Sequence, residues 1–220
     1  MTKYLSLKGY PLYSEEEIRD RSENFYHMMK LRRSGRDFSN REVPNEIIEN
    51  CLKTANNAPS GANMQPWYFV VVKNPEIKKS IRIEAEKREK EFYHNEATQE
   101  WVKAVKPLGT TYSKPFLEIA PYLIIVFVSK YDLQPDGKKV EHYYANESVG
   151  IATGMLITAI HYCGLVCLPY TPMRMRFLNE ILERPDSERP FLILAVGLPD
   201  KNAKVPNIQK KSLDEVYSII

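Results

Sequence analysis

Residues 58–72 read APSGANMQPWYFVVV. The stretch changes character at Pro66. Before it, Pro59 and Gly61 force an irregular backbone whose amides lie outside any ladder, and Ser60, Asn63 and Gln65 add side-chain donors. After it, Trp67 to Val72 form a short run of aromatic and β-branched residues, the composition of a buried strand. Upstream, Pro44 to Ala58 carries Ile47, Ile48, Cys51, Leu52 and Ala55 at helical spacing, with Pro44 near the first turn. The unit is thus helix, polar loop, core strand.

Three further runs repeat the strand pattern: YLIIVFV (122–128), LVCLPY (165–170) and FLILAVG (191–197). Helices are predicted between them, chiefly over 77 to about 100, 146–162 and 175–182. Ser14, with Glu17 three residues on, predicts a capping box and a helix whose buried side is Ile18, Phe25 and Met29. Strands alternating with helices imply an α/β or α+β sheet covered on both faces. The 146–162 segment is apolar nearly all round, so it is expected to be buried. Its small residues Gly150, Ala152, Gly154 and Ala159 admit a second helix backbone, which points to packing at a subunit interface as well as in the core. Gly164 is read as its left-handed stop. Residues 1–13 and 198–220 are either frayed tails or arms around a partner subunit; Tyr4, Leu5, Leu7, Tyr10 and Tyr13 offer apolar area that a tail would waste.

The 220 residues suit one domain with arms, and the small net charge of +3 argues against a nucleic-acid partner. No apolar stretch is long enough for a signal or a membrane span, so a cytoplasmic location is expected. Cys51, Cys163 and Cys167 lack zinc or redox spacing and read as buried free thiols; His27, His94, His142 and His161 show no ligand spacing, so no metal is expected.

Two polar stretches invite chemistry. In LRRSGRDFS (31–39), Arg32, Arg33 and Arg36 surround Ser34 and Gly35, and guanidinium forks match phosphate oxygens. Neither GxGxxG nor GxxxxGK occurs, which removes the Rossmann and P-loop sites. In EKREKEFYHN (86–95), Glu89 and Tyr93 stand four apart on one helix face. Taken alone, each stretch reads as solvated surface. Glu84 with Arg88, and Glu86 with Lys90, are expected as pairs along that surface.

Together, RRSGRDF, the helix after it and APSGANMQPWYFVVV resemble the flavin-binding entrance of the nitroreductase superfamily. SVGIATGMLITAIHYCGL resembles its long dimer-core helix, and VGLP (196–199) the end of its last central strand; the likeness covers roughly residues 25–220. It implies an α+β, nitroreductase-like fold: one domain over 1–220, a central mixed sheet flanked by helices, and an arm-exchanged homodimer with FMN at the interface. The arms would be residues 1–30 and 198–220. Within that superfamily, TANNAPSGANMQPW, the segment ending EKEFY, GKKVEHYYANESVGIATG, PYTP and KVPNIQKKSLDE resemble the iodotyrosine deiodinase family.

That resemblance assigns roles residue by residue. Arg32, Arg33, Ser34 and Arg36 would hold the flavin phosphate and pyrimidine edge, and Ser60 would touch FMN. Pro169, Tyr170 and Thr171 would lie over the flavin, with the Thr171 hydroxyl at N5 supporting one-electron steps. Lys210, or its neighbour Lys211, stands where the family places an arginine on the phosphate; a lysine keeps the charge but loses the fork. Glu89, Tyr93 and Lys114 would grip the amino-acid zwitterion, and the Ala62 N–H would meet the phenolate. The pairing is chemically sound, since a carboxylate suits an ammonium, and an ammonium with a phenol suits a carboxylate. The implied activity is reductive dehalogenation of halotyrosine, with an electron donor such as NAD(P)H acting through a reductase. Alternatives are a broad nitroreductase or quinone reductase, which needs no zwitterion grip, and a non-catalytic FMN or halotyrosine-binding module. Animal members carry an N-terminal anchor that this chain lacks, implying a soluble, bacterial-type homologue. Residues 84–114 would form a lid. Three charge-assisted contacts, at about 1.5–3 kcal/mol each, fall short of the backbone entropy of ordering it, so Ile77, Ile81 and Phe92 must supply packing.

Overall fold

The structure, a computed structural model, describes residues 4–220; residues 1–3 of the expected N-terminal arm lie outside the described residues. The chain divides at Arg32–Arg33 into two units. The first holds α1 (Glu15–Lys30). Its capping box forms as the sequence predicts: the Glu17 N–H donates to Ser14 Oγ at 3.3 Å, and the Ser14 N–H donates to Glu17 Oε2 at 2.7 Å. The expected buried side does not form, because α1 buries no residue and Ile18, Phe25 and Tyr26 stay exposed. One helix and an extended segment offer these side chains no apolar layer within their own unit.

The second unit carries a four-stranded sheet in the order β1-β2-β6-β5. Its strands are β1 (Trp67–Val72), β2 (Tyr122–Ser129), β5 (Val166–Tyr170) and β6 (Glu188–Gly197). All three pairings of named strands are antiparallel. The parallel component that makes the sheet mixed is the isolated bridge between Ser34 and Cys167 at the β5 edge. A separate hairpin joins β3 (Tyr131–Leu133) to β4 (Lys139–Glu141). The helices are α2 (Asn45–Asn56), α3 (Pro75–Asn95), α4 (Gln99–Val105), α5 (Phe116–Ile119), α6 (Ala145–Tyr162) and α7 (Phe177–Ile181).

β2 explains the layering. Tyr122 to Val128 are each at most 2% exposed, because both sheet faces are covered. Leu123, Ile125 and Phe127 join Ile81 and Ala85 of α3 and Phe116 and Leu117 of α5. Tyr122 and Ile124 join Ile48, Cys51 and Ala55 of α2 and Leu156 and Ile160 of α6. Each such aliphatic side chain contributes about 1.5–3 kcal/mol when fully buried, so α3 is fastened to the sheet by its first half.

Three expectations change. The helix expected from 77 to about 100 breaks: α3 ends at Asn95, and Thr98 caps α4 by accepting the Trp101 N–H at 3.2 Å. The threonine hydroxyl satisfies an amide at a new helix start, so the chain turns there at little cost. α6 is not buried all round either: Ile151 and Tyr162 are 48% and 76% exposed. Its end is as read, with Gly164 at φ 78°, its N–H on His161 O and the Leu165 N–H on Ile160 O, the paired bonds of a Schellman stop. Finally, Cys51 and Cys167 are buried but Cys163 is exposed, since it caps α6 beyond the core. Its sulfur is 3.9 Å from that of Cys51, whose thiol burial pushes up to about 12.

Candidate active site

Arg82, Glu86, Glu89 and Tyr93 recur at helical spacing on one face of α3. That face meets the 110–118 segment rather than water. The Glu86 carboxylate accepts the Lys114 backbone N–H at 2.6 Å and Arg82 Nε at 3.2 Å, while Arg82 Nη1 donates to Glu118 at 3.1 Å. The expected pairing of Glu86 with Lys90 does not form, because Glu86 is drawn inward and the Lys90 ammonium sits 5.0 Å from the Tyr112 ring centre. The other expected pair, Glu84 with Arg88, stands at 3.7 Å.

One turn on, Glu89 is buried. Its Oε2 lies 3.3 Å from Lys114 Nζ, with the two side chains 9% and 3% exposed, and its Oε1 accepts the Tyr170 hydroxyl at 3.1 Å. Lys114 Nζ also donates to Thr110 Oγ1 at 3.2 Å and to Thr111 O. Burial lowers the Lys114 pKa and the Glu89 charge opposes that shift. A buried ion pair of this kind is tolerated when the remaining protons and lone pairs find partners, as they do here. Tyr93 differs: its hydroxyl is buried without a hydrogen-bond partner, and its ring stands edge-on to Trp101 at 5.1 Å. Burial first, then the Glu89 charge, raise its pKa, so it stays a neutral donor.

The arginine turn lies along β5. The Gly35 N–H donates to Cys167 O at 3.3 Å, and a Cβ on Gly35 would meet Val166 Cγ2 at 3.1 Å, so the glycine allows the close approach. Arg36 is half-buried and has no hydrogen bond or ion pair among the described residues. Desolvation lowers its pKa, and its charge is near enough to depress that of Lys114. Arg33 donates to Pro206 O and so ties the turn to the C-terminal segment. Arg32 belongs to the first unit, where its N–H donates to Met29 O at 3.1 Å. Pro169 and Tyr170 end β5 and Thr171 follows, exposed; Lys210 and Lys211 are exposed.

Ser60 and Ala62 form a second group. Ala62, Asn63 and Gln65 adopt left-handed φ values of 48°, 54° and 49°, each costing on the order of 1–3 kcal/mol for a non-glycine residue. The loop is held by the Gly61 N–H on Ser148 Oγ at 3.1 Å and the Gln65 N–H on Ser60 Oγ at 2.9 Å. A Cβ on Gly61 would sit 2.7 Å from Tyr143 O. Ala62 is an exposed residue, and its N–H has no partner among the described residues. These contacts run to the start of α6, and none reaches the cluster around Glu89. A cavity of about 690 Å³ touches Arg36, Thr110, Thr111, Ser113 and Phe116, but neither Glu89 nor Ala62 lines it. Among the described residues no group of three His, Cys, Asp or Glu side chains could hold a metal ion, and no helix is long and apolar enough to cross a membrane.

Two contacts were not foreseen: Glu86 on the Lys114 backbone and Tyr170 on Glu89. The first had a signal, since Glu86 shares the helix face of Glu89. The second joins residues 81 positions apart and had none.

An arginine turn, a strained polar loop and a buried charge cluster around one antiparallel sheet match a known architecture. The family model described as Nitroreductase family matches residues 29–198, and the chain belongs to that family. Among its relatives is the iodotyrosine deiodinase of Haliscomenobacter hydrossis, 52% identical over 199 residues that cover 90% of each chain. The iodotyrosine deiodinase of Nematostella vectensis is 43% identical, covering 92% of this chain and 77% of that one. A crystal structure of oxidized iodotyrosine deiodinase bound to FMN and 3-iodo-L-tyrosine superposes with a TM-score of 0.77 at 34% identity, covering 89% of this chain and all of that one.

Proposed function

We propose that this chain is an FMN-dependent oxidoreductase that removes iodide from iodotyrosine. Two electrons and one proton enter, the carbon–iodine bond breaks, and tyrosine and iodide leave. The observation that carries the reading is the buried Glu89–Lys114 pair beside the unpartnered Tyr93 hydroxyl, two opposite charges and a spare donor set out as the complement of an amino-acid head. The deiodinase relatives and the FMN- and iodotyrosine-bound neighbour agree with it.

The residues present fit FMN. Arg36 is a half-buried guanidinium lacking an acceptor, suited to the electron-rich pyrimidine edge. Ser34 and Gly35 present a narrow turn beside it, and Arg32, Arg33 and Lys210 or Lys211 supply charge for the phosphate. FMN supplies the electrons, and the protein positions what receives them. Glu89 takes the substrate ammonium, while Lys114 and Tyr93 take its carboxylate. The Ala62 N–H holds the phenolate oxygen without being able to protonate it. Thr171, which follows Pro169 and Tyr170 at the end of β5, would present its hydroxyl to the flavin. Segment 84–114 closes as a lid and excludes water.

The second half of the site comes from a second copy. The hydrogen bonds of the Ser60–Gln65 loop run to Ser148 and within the loop, α6 exposes Ile151, Gly154 and Tyr162 along one side, and both chain ends expose apolar side chains, as expected of a homodimer with exchanged arms. The reduced Cys51 and Cys163 suit a reducing cytoplasm, with an NAD(P)H-dependent reductase supplying electrons. Anaerobic reduction of the yellow protein followed by 3-iodotyrosine tests the activity. Return of the oxidised flavin spectrum with tyrosine and iodide in equal amounts is expected. Rapid reduction of nitroaromatics with no tyrosine formed would instead assign a general nitroreductase.

A further inference from the structure

The strand that delivers Thr171 also reaches the substrate-head cluster. Tyr170 is the last residue of β5, and its hydroxyl donates to Glu89 Oε1 at 3.1 Å, across 81 positions of sequence. Its ring is fixed independently: Phe116 packs edge-on at 5.5 Å, and Lys114 Nζ lies 5.5 Å from the ring centre. The hydroxyl is therefore carried on a rigid mount. Glu89 sits on the far half of α3, beyond the last helix position that packs into the core, Ala85. Among the described residues the Glu89 carboxylate is held by Tyr170 and Lys114 and accepts no hydrogen bond from another α3 side chain, Glu86 being turned to the Lys114 backbone.

We propose that Tyr170 is a positioning residue for zwitterion specificity. It pins one Glu89 oxygen, so that the other, which Lys114 occupies in the free protein, is presented to the substrate ammonium. The inference rests on the deiodinase reading. It assigns the Tyr170 hydroxyl to the amino-acid end of the substrate rather than to the flavin. The logic is one of valence. A carboxylate with both oxygens free to rotate loses orientational entropy for each new bond, and one already held by a neutral donor does not. Burial and the charge of Glu89 both raise the Tyr170 pKa, so the phenol remains a donor across the working pH range. A substrate ammonium then displaces Lys114 from Oε2, and the freed ammonium of Lys114 turns to the substrate carboxylate. Tyr170 keeps Glu89 in place during that exchange.

The test is Tyr170→Phe, which keeps the ring, the Phe116 packing and the Lys114 contact and removes only the oxygen. Two substrates are compared: 3-iodotyrosine, and 2-iodophenol, which has neither ammonium nor carboxylate. The expected result is a rise of about tenfold in KM for iodotyrosine, the worth of one hydrogen bond to a charged group. The loss should fall on the substrate that carries the amino-acid head, so that the ratio of kcat/KM for iodotyrosine to that for 2-iodophenol drops by about tenfold. In a Glu89→Gln background the Tyr170→Phe change should have little further effect, since its partner is already altered. An unchanged KM for iodotyrosine, an equal loss on both substrates, weaker FMN binding or additive effects with Glu89→Gln would each overturn the assignment. Failure of the wild-type protein to dehalogenate either substrate would overturn the deiodinase reading itself, which separates the two outcomes.

Discussion

Glu89 and Ala62 are proposed to hold opposite ends of one ligand, and the chain prepares them in opposite ways. The Glu89 carboxylate is buried with both oxygens engaged, one by Lys114 and one by Tyr170. Ala62 is an exposed residue whose amide is unbonded among the described residues, on a left-handed backbone. A buried charge cannot be left waiting, because an unpaired carboxylate away from water is far too costly; it must borrow an internal partner until substrate arrives. An amide at the surface can wait, since water serves it at no structural cost. The amino-acid half of the site is thus stored as an ion pair within one chain. The phenolate half is stored as backbone strain and, in the proposed homodimer, would be brought over the first by a second copy.

The largest effect should come from breaking the stored pair. Glu89→Gln removes the ammonium's partner and leaves Lys114 buried with an uncompensated charge. We expect kcat/KM for iodotyrosine to fall by about 30-fold or more, since truncating one member of a buried pair costs about 2–5 kcal/mol. The melting temperature should fall with it, measured by thermal unfolding of the holoprotein. A Glu89→Gln variant with unaltered selectivity for iodotyrosine over iodophenol would remove Glu89 from the grip.

Smaller effects should appear at the flavin side. Thr171→Ala is expected to slow single-turnover dehalogenation about tenfold, the worth of one transition-state hydrogen bond, as read by stopped-flow flavin reoxidation. Equal rates would free Thr171 of its role. The mildest prediction concerns pH. Burial holds the Lys114 pKa below its ordinary 10.5, so its ammonium is lost earlier on the alkaline side than that of a free lysine. Iodotyrosine binding should therefore weaken on the alkaline side, at a lower pH than the ordinary lysine pKa would set. In Lys114→Arg, whose guanidinium does not titrate, the alkaline limb should move upward. Deprotonation of the substrate ammonium is common to both proteins and cancels in the comparison. Superimposable pH profiles would show that Lys114 does not meet the carboxylate.

Much of the fold was legible because its signals are local. The β1 run, the Ser14 capping box and the Gly164 stop each depend on a few adjacent residues, and all three form. The break at 96–98 was hidden inside a polar stretch where one threonine decides the matter. The site was legible only through resemblance: by charge pattern alone, EKREKEFYHN is a solvated helix face. What turns that face inward is the 110–118 segment, whose backbone occupies Glu86 and whose lysine occupies Glu89. Contacts made across such separations, like that of Tyr170, leave no periodicity to read. The exposed side of α6 was legible only in part: its small residues pointed to a second helix, but an apolar helix looks the same whether its last face meets its own core or another chain.

The division of the site between two copies is tested most directly by mixing two defective chains. One carries Glu89→Gln; the other carries Gly61→Val, whose side chain would collide with Tyr143 O and displace the Ala62 loop. Each alone should be nearly inactive on iodotyrosine. Co-expressed with different tags and purified as the mixed dimer, they should recover activity, because one of the two sites then combines an intact Glu89 cluster with an intact loop from the other chain. A mixed dimer as inactive as its parents would contradict the account, since it would mean that each chain completes its site with its own loop.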